Sequence, residues 1–231
     1  MRVVLIHGSG VNAETAWGPL QRLAPLYELT APSRGGYPPN PPLDRIDFER
    51  QAEELAPLLG QGAHLLGHSY GGVIALLVAA RRPHAVLSLA VSEPPAFGLA
   101  RGNAEVERLV ERLDTHLRLG PRDPRAFAEG FLRIVGSDAK LPAELSPEAE
   151  QSIRAQLAER PPWEAEIPLD ALGAAPFRKL VISGGHSAAF DAVCDVLEEQ
   201  LPAERAVLPG AGHGLARAPG YPERLDAFWS A

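Results

Sequence analysis

The sequence predicts an α/β fold built on a doubly wound, mostly or all-parallel sheet of six strands. Short apolar runs alternate along the chain with longer amphipathic stretches, and each run is bounded by Gly, Pro or Ser. The runs are apolar on both faces, which is typical of parallel strands covered by helices on both sides. Strands and helices in strict alternation require right-handed crossovers and hence a parallel sheet. The predicted strands cover residues 3–6, 27–30, 64–67, 86–91, 180–183 and 205–208.

Helices are predicted in the stretches between these strands. The amphipathic stretches place them at residues 15–26, 47–59, 70–82 and 188–201, with a last one near residues 222–229. Each lies between two predicted strands or after the last one, as a doubly wound sheet requires.

The alternation is interrupted between residues 94 and 176, where three helices but no strand are predicted. Apolar residues at helical spacing form one stripe in residues 104–119 and another in residues 124–135. Ser146 followed by Pro147 predicts an N-cap and a first-turn proline for a helix that runs to about residue 159. The segment is too long for a simple loop. We therefore expect residues 1–93 and 177–231 to form the core, and residues 94–176 to form a helical cap inserted after the strand that ends near Ser92.

Composition excludes several classes of partner and cofactor. The 231 residues carry a net charge of −7 and no block of basic residues, so nucleic acid is not an expected partner. No apolar stretch is long enough to span a membrane, and the chain opens on a strand-like run rather than a signal peptide. The single cysteine, Cys194, cannot form an intramolecular disulfide, so we expect a cytoplasmic protein. No metal-ligand spacing or phosphate-binding loop is present, and we expect neither metal nor cofactor. The oligomeric state is left open.

The motif with the clearest chemistry is Gly67-His68-Ser69-Tyr70-Gly71. This G-x-S-x-G pattern follows a predicted strand and leads into a predicted helix, which is the context that a nucleophile elbow requires. Glycines on either side of Ser69 allow strand and helix to approach closely. The sequence therefore predicts that Ser69 is a nucleophile.

With this motif the chain resembles the α/β-hydrolase family over nearly its full length. The resemblance extends to the run His7-Gly8-Ser9-Gly10, which follows the first strand as the family pattern requires. It implies that backbone amides bind the oxyanion, here those of Ser9 or Gly10 and of Tyr70. Because the chain begins at the strand before this loop, the two N-terminal strands usual in the family are expected to be absent, which leaves an all-parallel sheet.

A serine nucleophile needs a base, and the resemblance implies His213. This histidine lies in the run Pro209-Gly210-Ala211-Gly212-His213-Gly214, between the last strand and the last helix. The family places its catalytic histidine in a similar glycine-rich loop. The other six histidines belong to motifs, strands or helices without this context.

The third member of such a catalytic triad is a carboxylate that orients the histidine, and the sequence offers two candidates for it. Many family members carry an Asp in a G-x-x-D run after the penultimate strand, but this chain has Gly184-Gly185-His186-Ser187 there. Asp191 follows four residues later, on a helix whose apolar stripe predicts that it faces solvent. Glu93 follows the strand after the nucleophile's own, and some branches of the family take their acid from that position. Chain order allows both, so Glu93 is favoured and Asp191, another residue or no acid at all stay as alternatives.

The expected activity is hydrolysis of a small or medium carboxylic ester through an acyl-enzyme intermediate. A thioester, a lactone or a carbon–carbon bond beside a carbonyl could be cleaved by the same residues, and a hydrolase-like binding or regulatory module is the alternative of another class. Four aromatic residues are candidates for substrate binding, although each could equally serve core packing: Trp17, Phe97, Phe131 and Trp163.

Overall fold

Six parallel strands form one sheet in the order β2-β1-β3-β4-β5-β6. The structure is a computed structural model that describes all 231 residues, and it confirms the predicted fold class. The strands are β1 (Arg2–Ile6), β2 (Glu28–Thr30), β3 (Ala63–His68), β4 (Val86–Ser92), β5 (Arg178–Ser183) and β6 (Glu204–Val207). Because all strands are parallel, the segments that follow β1, β3, β4, β5 and β6 meet at the same carboxyl edge of the sheet.

Nine α-helices connect and cover the strands. They are α1 (Ala13–Trp17), α2 (Phe48–Leu55), α3 (Tyr70–Arg81), α4 (Ala104–Leu119), α5 (Pro124–Val135), α6 (Pro147–Leu157), α7 (Leu169–Ala174), α8 (Ala188–Gln200) and α9 (Tyr221–Trp229). None of them combines the length and the apolar character that crossing a membrane requires.

The four central strands, β1, β3, β4 and β5, contribute side chains to two separate cores, one on each face of the sheet. In β1, Val4 and Ile6 join the larger core with α2, α3 and α8. Val3 and Leu5 join the smaller core with α1 and α9. This alternation follows from the pleat of a strand, in which successive side chains point to opposite faces. Burial on both faces explains why these central strands are largely apolar.

Two predicted helices are shorter than the sequence pattern indicated. The helix predicted over residues 15–26 is α1 followed by a 3₁₀ turn at Gly18–Leu23, with Pro19 near the start of that turn. The helix predicted over residues 47–59 is α2 followed by a 3₁₀ turn at Ala56–Leu59, again with a proline, Pro57, near its start. Proline lacks the N–H that would continue the α-helical ladder, and it fits at the first turn of a new helical segment.

The segment between β4 and β5 is helical, and it lies against the carboxyl edge of the sheet. Its first two helices, α4 and α5, have the bounds that the apolar stripes predicted, and α6 ends two residues before the predicted end. A fourth helix, α7, was not predicted, because its six residues span fewer than two turns and give no clear periodicity. The segment is called the inserted segment below, and it covers residues 94–176.

Candidate active site

Ser69 occupies a strained turn between β3 and α3. Its φ is +53°, in the left-handed region that non-glycine residues rarely adopt. A Cβ atom at Gly67 would lie 2.3 Å from the carbonyl oxygen of Gly71, and one at Gly71 would lie 2.1 Å from that of Ile6. Only glycine fits at these two positions, so the sequence pattern follows directly from the close approach of helix and strand.

His213 bridges Ser69 and Glu93. Its Nε2 lies 3.0 Å from the Ser69 Oγ and its Nδ1 lies 2.7 Å from the Glu93 Oε2. An ionised carboxylate only accepts hydrogen bonds, so Nδ1 carries the proton and Nε2 is left to accept one from the serine. The Phe190 ring stacks on the imidazole at 4.6 Å, and the backbone N–H of His213 donates to the Gly136 carbonyl. The ring is thereby held in place from two further directions.

Glu93 is buried directly after β4, with φ of +43°. Its Oε1 accepts a hydrogen bond of 2.7 Å from the Gly184 N–H, and the His186 Nδ1 lies 3.3 Å from the same oxygen. Burial alone would raise the pKa of Glu93, but hydrogen bonds from His186 and His213 lower this pKa to about 2. The carboxylate is therefore ionised at neutral pH.

Asp191, the alternative acid, makes no hydrogen bond to His213. Its Oδ1 accepts from the Ser183 Oγ at 2.6 Å and from the Arg205 guanidinium at 3.0 Å. Asp191 lies off the apolar stripe as predicted, but its side chain is only partly exposed, at 31%, because Arg205 extends from β6 and pairs with the carboxylate. The apolar stripe indicates which face of the helix packs on the core. It carries no information about a cation, here Arg205, that approaches the helix from a neighbouring strand.

In the loop after β1, the Ser9 amide makes no hydrogen bond. The Gly10 N–H donates to the Tyr37 hydroxyl at 3.3 Å, whereas the Ser9 N–H takes part in none of the loop hydrogen bonds. Arg34 donates to the Gly8 carbonyl at 2.9 Å. Because the peptide is planar and trans, fixing the Gly8 carbonyl also fixes the Ser9 N–H in the opposite direction. Tyr70 opens α3, so its N–H has no acceptor within the helix.

A buried ion pair joins this loop to the inserted segment. The Glu159 Oε1 accepts from Arg34 at 2.6 Å and from the Tyr37 hydroxyl at 2.7 Å, and the Glu159 Oε2 accepts from the Ser9 hydroxyl. The side chains of Arg34 and Glu159 are 0% and 5% exposed. Such a pair resists the loss of either partner, because a single charge would remain buried without compensation.

Two spaces meet at Ser69 and His213. One is a cavity of about 40 Å³ between the core and the inserted segment, and the other is a groove of about 550 Å³. Phe131 lines both spaces, Trp163 lines the cavity and Trp17 lines the groove. Phe97 lines neither, because it packs behind Phe190 with ring centroids 5.2 Å apart, which is the core packing that the sequence also allowed for it.

A sequence profile described as the Alpha/beta hydrolase family matches residues 3–227. The chain belongs to the α/β hydrolase family. Among solved structures, this α/β hydrolase is similar to a membrane phospholipase A described as a bacterial virulence factor, with a TM-score of 0.75 and 26% identity over 99% of this chain and 78% of that one. It also has the fold of a thermophilic esterase from Thermogutta terrifontis, with a TM-score of 0.69 and 20% identity over 100% of this chain and 87% of that one.

Curated relatives of this α/β hydrolase match it over part of their length. The pimeloyl-[acyl-carrier protein] methyl ester esterase of Sodalis glossinidius is 40% identical over 96 residues, which are 41% of this chain and 37% of that protein. The protein of the same name from Aeromonas salmonicida is 36% identical over 98 residues, 41% of this chain and 39% of that protein. The chain therefore spans less than half the length of these relatives.

Sequence reasoning missed several residues around the site of this α/β hydrolase. Phe190 belongs to the apolar stripe of α8, and the sequence gives no sign that it also stacks on His213. Arg34 and Glu159 are 125 residues apart in sequence, and nothing in their local pattern indicates that they meet. His186 had a usable signal, because it stands in the Gly184-Gly185-His186-Ser187 run where the family's aspartate was expected.

Proposed function

We propose that this α/β hydrolase is a serine hydrolase that cleaves carboxylic esters through an acyl-enzyme intermediate. The observation that carries the proposal is the series of hydrogen bonds from Ser69 through His213 to Glu93, at 3.0 and 2.7 Å. Nucleophile, base and orienting carboxylate in this order form the arrangement that activates a serine hydroxyl. Ester hydrolysis is also what the names of the curated relatives state for those proteins.

In the proposed reaction, the Ser69 Oγ attacks the acyl carbon while His213 Nε2 takes the hydroxyl proton. The same imidazolium then donates that proton to the leaving alkoxide, and the alcohol departs from the acyl-enzyme. Water next gives a proton to His213 and attacks the acyl carbon, and the proton returns to Ser69 as the carboxylic acid leaves. Glu93 keeps the His213 imidazole in the required tautomer and stabilises the imidazolium that forms. The proposed reaction uses no metal or cofactor.

The oxyanion that forms at each attack would be bound by the amides of Ser9 and Tyr70. Support comes from the loop hydrogen bonds, in which the Gly10 N–H is occupied by Tyr37 while the Ser9 N–H is free. Donors that are already fixed before the reaction stabilise developing charge more effectively than donors that must reorient.

We further infer that the inserted segment caps the site and limits the size of the substrate. Side chains from α4 and α5, Leu113 and Phe131, line the cavity together with Ser69. A cavity of about 40 Å³ beside a groove of about 550 Å³ fits an ester that has one short substituent and one longer one. Methyl esters of longer acids have this shape. The methyl ester on an acyl carrier protein named for the relatives is one specific ester to be tested.

The test is covalent labelling by a fluorophosphonate probe followed by turnover of an ester panel. The wild-type protein should be labelled rapidly, Ser69→Ala should not be labelled, and His213→Ala should be labelled very slowly. p-Nitrophenyl esters and methyl esters of graded acid length should be turned over, with thioesters and lactones included as competing classes. A folded wild-type protein that is neither labelled nor active would refute the proposal and favour a binding or regulatory module.

A cytoplasmic location stays a prediction, which fractionation of cells that express the protein would test.

A further inference from the structure

His186 places a second imidazole against the carboxylate that orients His213. It lies after β5, and 17% of its side chain is exposed, although its backbone makes the residue as a whole an exposed one. Its Nε2 is 2.9 Å from the carbonyl oxygen of Val135, at the end of α5, and its Nδ1 is 3.3 Å from the Glu93 Oε1. The mechanism proposed above does not use this residue.

Both ring nitrogens of His186 therefore face atoms that can only accept. A carbonyl oxygen and an ionised carboxylate have no proton to give, so each nitrogen must carry its own proton. An imidazole with two N–H groups is the cation. Its position at the carboxyl end of α5 also favours positive charge, because the helix dipole is negative there.

The charged groups around His186 agree with this protonation state. Glu93 faces it from the end of β4, Asp191 lies on α8, and Arg205 of β6 is already paired with Asp191. His213 is the remaining titratable neighbour, with ring centroids 6.4 Å apart. Hydrogen bonding to Glu93 raises the pKa of His186 above its ordinary value, despite the opposing effect of burial.

We propose that His186 is a cationic positioning residue that holds Glu93 in place and extends activity to lower pH. The inference rests on the proposed hydrolase function. A positive charge on His186 partly neutralises Glu93 and opposes the addition of a further positive charge to the neighbouring site, so activity should persist to more acidic pH. Coulomb's law at 6.4 Å and an effective dielectric constant of about 20 gives a repulsion large enough to move the acidic limb of the activity profile by about one to two pH units.

The first test is the pH profile of kcat/KM for the wild type and three variants. His186→Gln can still donate to the Val135 carbonyl but has no charge, so the midpoint of its acidic limb should move to higher pH by about one unit. His186→Lys restores a cation and should return the midpoint towards the wild-type value. His84→Gln changes an exposed histidine far from the site and should leave the profile unchanged. A His186→Gln profile that is lowered evenly at all pH values, without movement of the limb, would show a merely structural role and overturn the proposal.

The second test needs neither activity nor a variant. Long-range ¹H–¹⁵N NMR spectra of the labelled wild-type protein distinguish an imidazolium from either neutral tautomer. The His186 nitrogens should both appear protonated at pH 7, whereas a neutral ring at that pH would overturn the inference. Because this measurement does not depend on turnover, it separates a failure of the His186 proposal from a failure of the hydrolase proposal.

Discussion

Replacing Glu93 by Gln should remove most of the activity, because neither orientation of the new amide fits the site. With the amide NH₂ towards His213, the Nδ1 must accept, so its proton moves to Nε2 and His213 can no longer take a proton from Ser69. With the amide oxygen towards His213, the NH₂ faces the donors of Gly184 and His186. Either the base is in the wrong tautomer or two donors oppose each other.

The magnitude follows from the charge that Glu93 supplies. For charge centres about 4 Å apart and an effective dielectric constant of about 20, the attraction between the carboxylate and the His213 imidazolium is about 4 kcal/mol. That energy corresponds to about three orders of magnitude in rate. Loss of the correct tautomer adds to it, and the comparable substitution in a serine protease costs about 10⁴-fold. We therefore expect kcat to fall by about 10³- to 10⁴-fold with little change in KM.

The assay is steady-state hydrolysis of p-nitrophenyl acetate at pH 7, with folding checked by circular dichroism. At this pH Glu93 is fully ionised in the wild type, because its pKa of about 2 lies below the usual 4.5 and its contribution is lost only as the pH falls towards 2. Glu166→Gln changes an exposed glutamate and should leave kcat unchanged. Asp191→Asn should also keep near-normal kcat, since Asp191 is bonded to Ser183 and Arg205 rather than to His213. A folded Glu93→Gln protein that keeps more than about a tenth of kcat would refute the reasoning.

Three further perturbations test the elbow, the inserted segment and the buried ion pair. Gly71→Ala should lower the free energy of unfolding in urea by about 3 kcal/mol, because its Cβ would lie 2.1 Å from a backbone oxygen. Gly18→Ala, with nothing within 4 Å, should not be destabilised, and equal stabilities of the two variants would contradict this prediction. Phe131→Ala should shift the preferred p-nitrophenyl ester towards longer acids, and an unchanged chain-length profile would argue against contact with substrate. Glu159→Gln should cost about 3–5 kcal/mol in the same urea measurement, since it leaves Arg34 buried without its counter-charge, and a loss below about 1 kcal/mol would show that the site tolerates an unpaired cation.

The parts of the fold that depend on local pattern could be predicted from the sequence. Strands buried on both faces give apolar runs, and α4 and α5 present apolar stripes with capping residues, so their ends coincide with the predicted ones. The 3₁₀ turns after α1 and α2 differ from prediction because the apolar spacing continues past Pro19 and Pro57 while the hydrogen-bond ladder does not. Apolar periodicity reports the packing face, and it does not report whether the backbone N–H groups are paired.

For the site, the sequence indicates residues whose chemistry is tied to a short motif. Ser69 and His213 lie in glycine-rich runs that exist because the backbone must turn tightly there. Glu93 could be proposed only from its place at the end of β4, and its contact with His213 depends on how three strand ends meet in space. Arg34 and Glu159 meet across a slightly longer separation of 125 residues, through side chains whose local sequence carries no signal of the partner.

The contacts of the inserted segment explain why core and segment should act as one unit. The carbonyl oxygen of Gly136 accepts a hydrogen bond from the His213 N–H, and that of Val135 accepts one from His186. Glu159 of the segment accepts one from the Ser9 hydroxyl. Lifting the whole segment would break all of these hydrogen bonds together with the Arg34–Glu159 pair. The groove of about 550 Å³ already reaches Ser69 without such a motion, and substrate can therefore enter through it while base, acid and oxyanion loop stay in place. Rapid hydrogen exchange across α5 and α6 relative to the core strands would contradict this argument, since it would show that the segment opens independently.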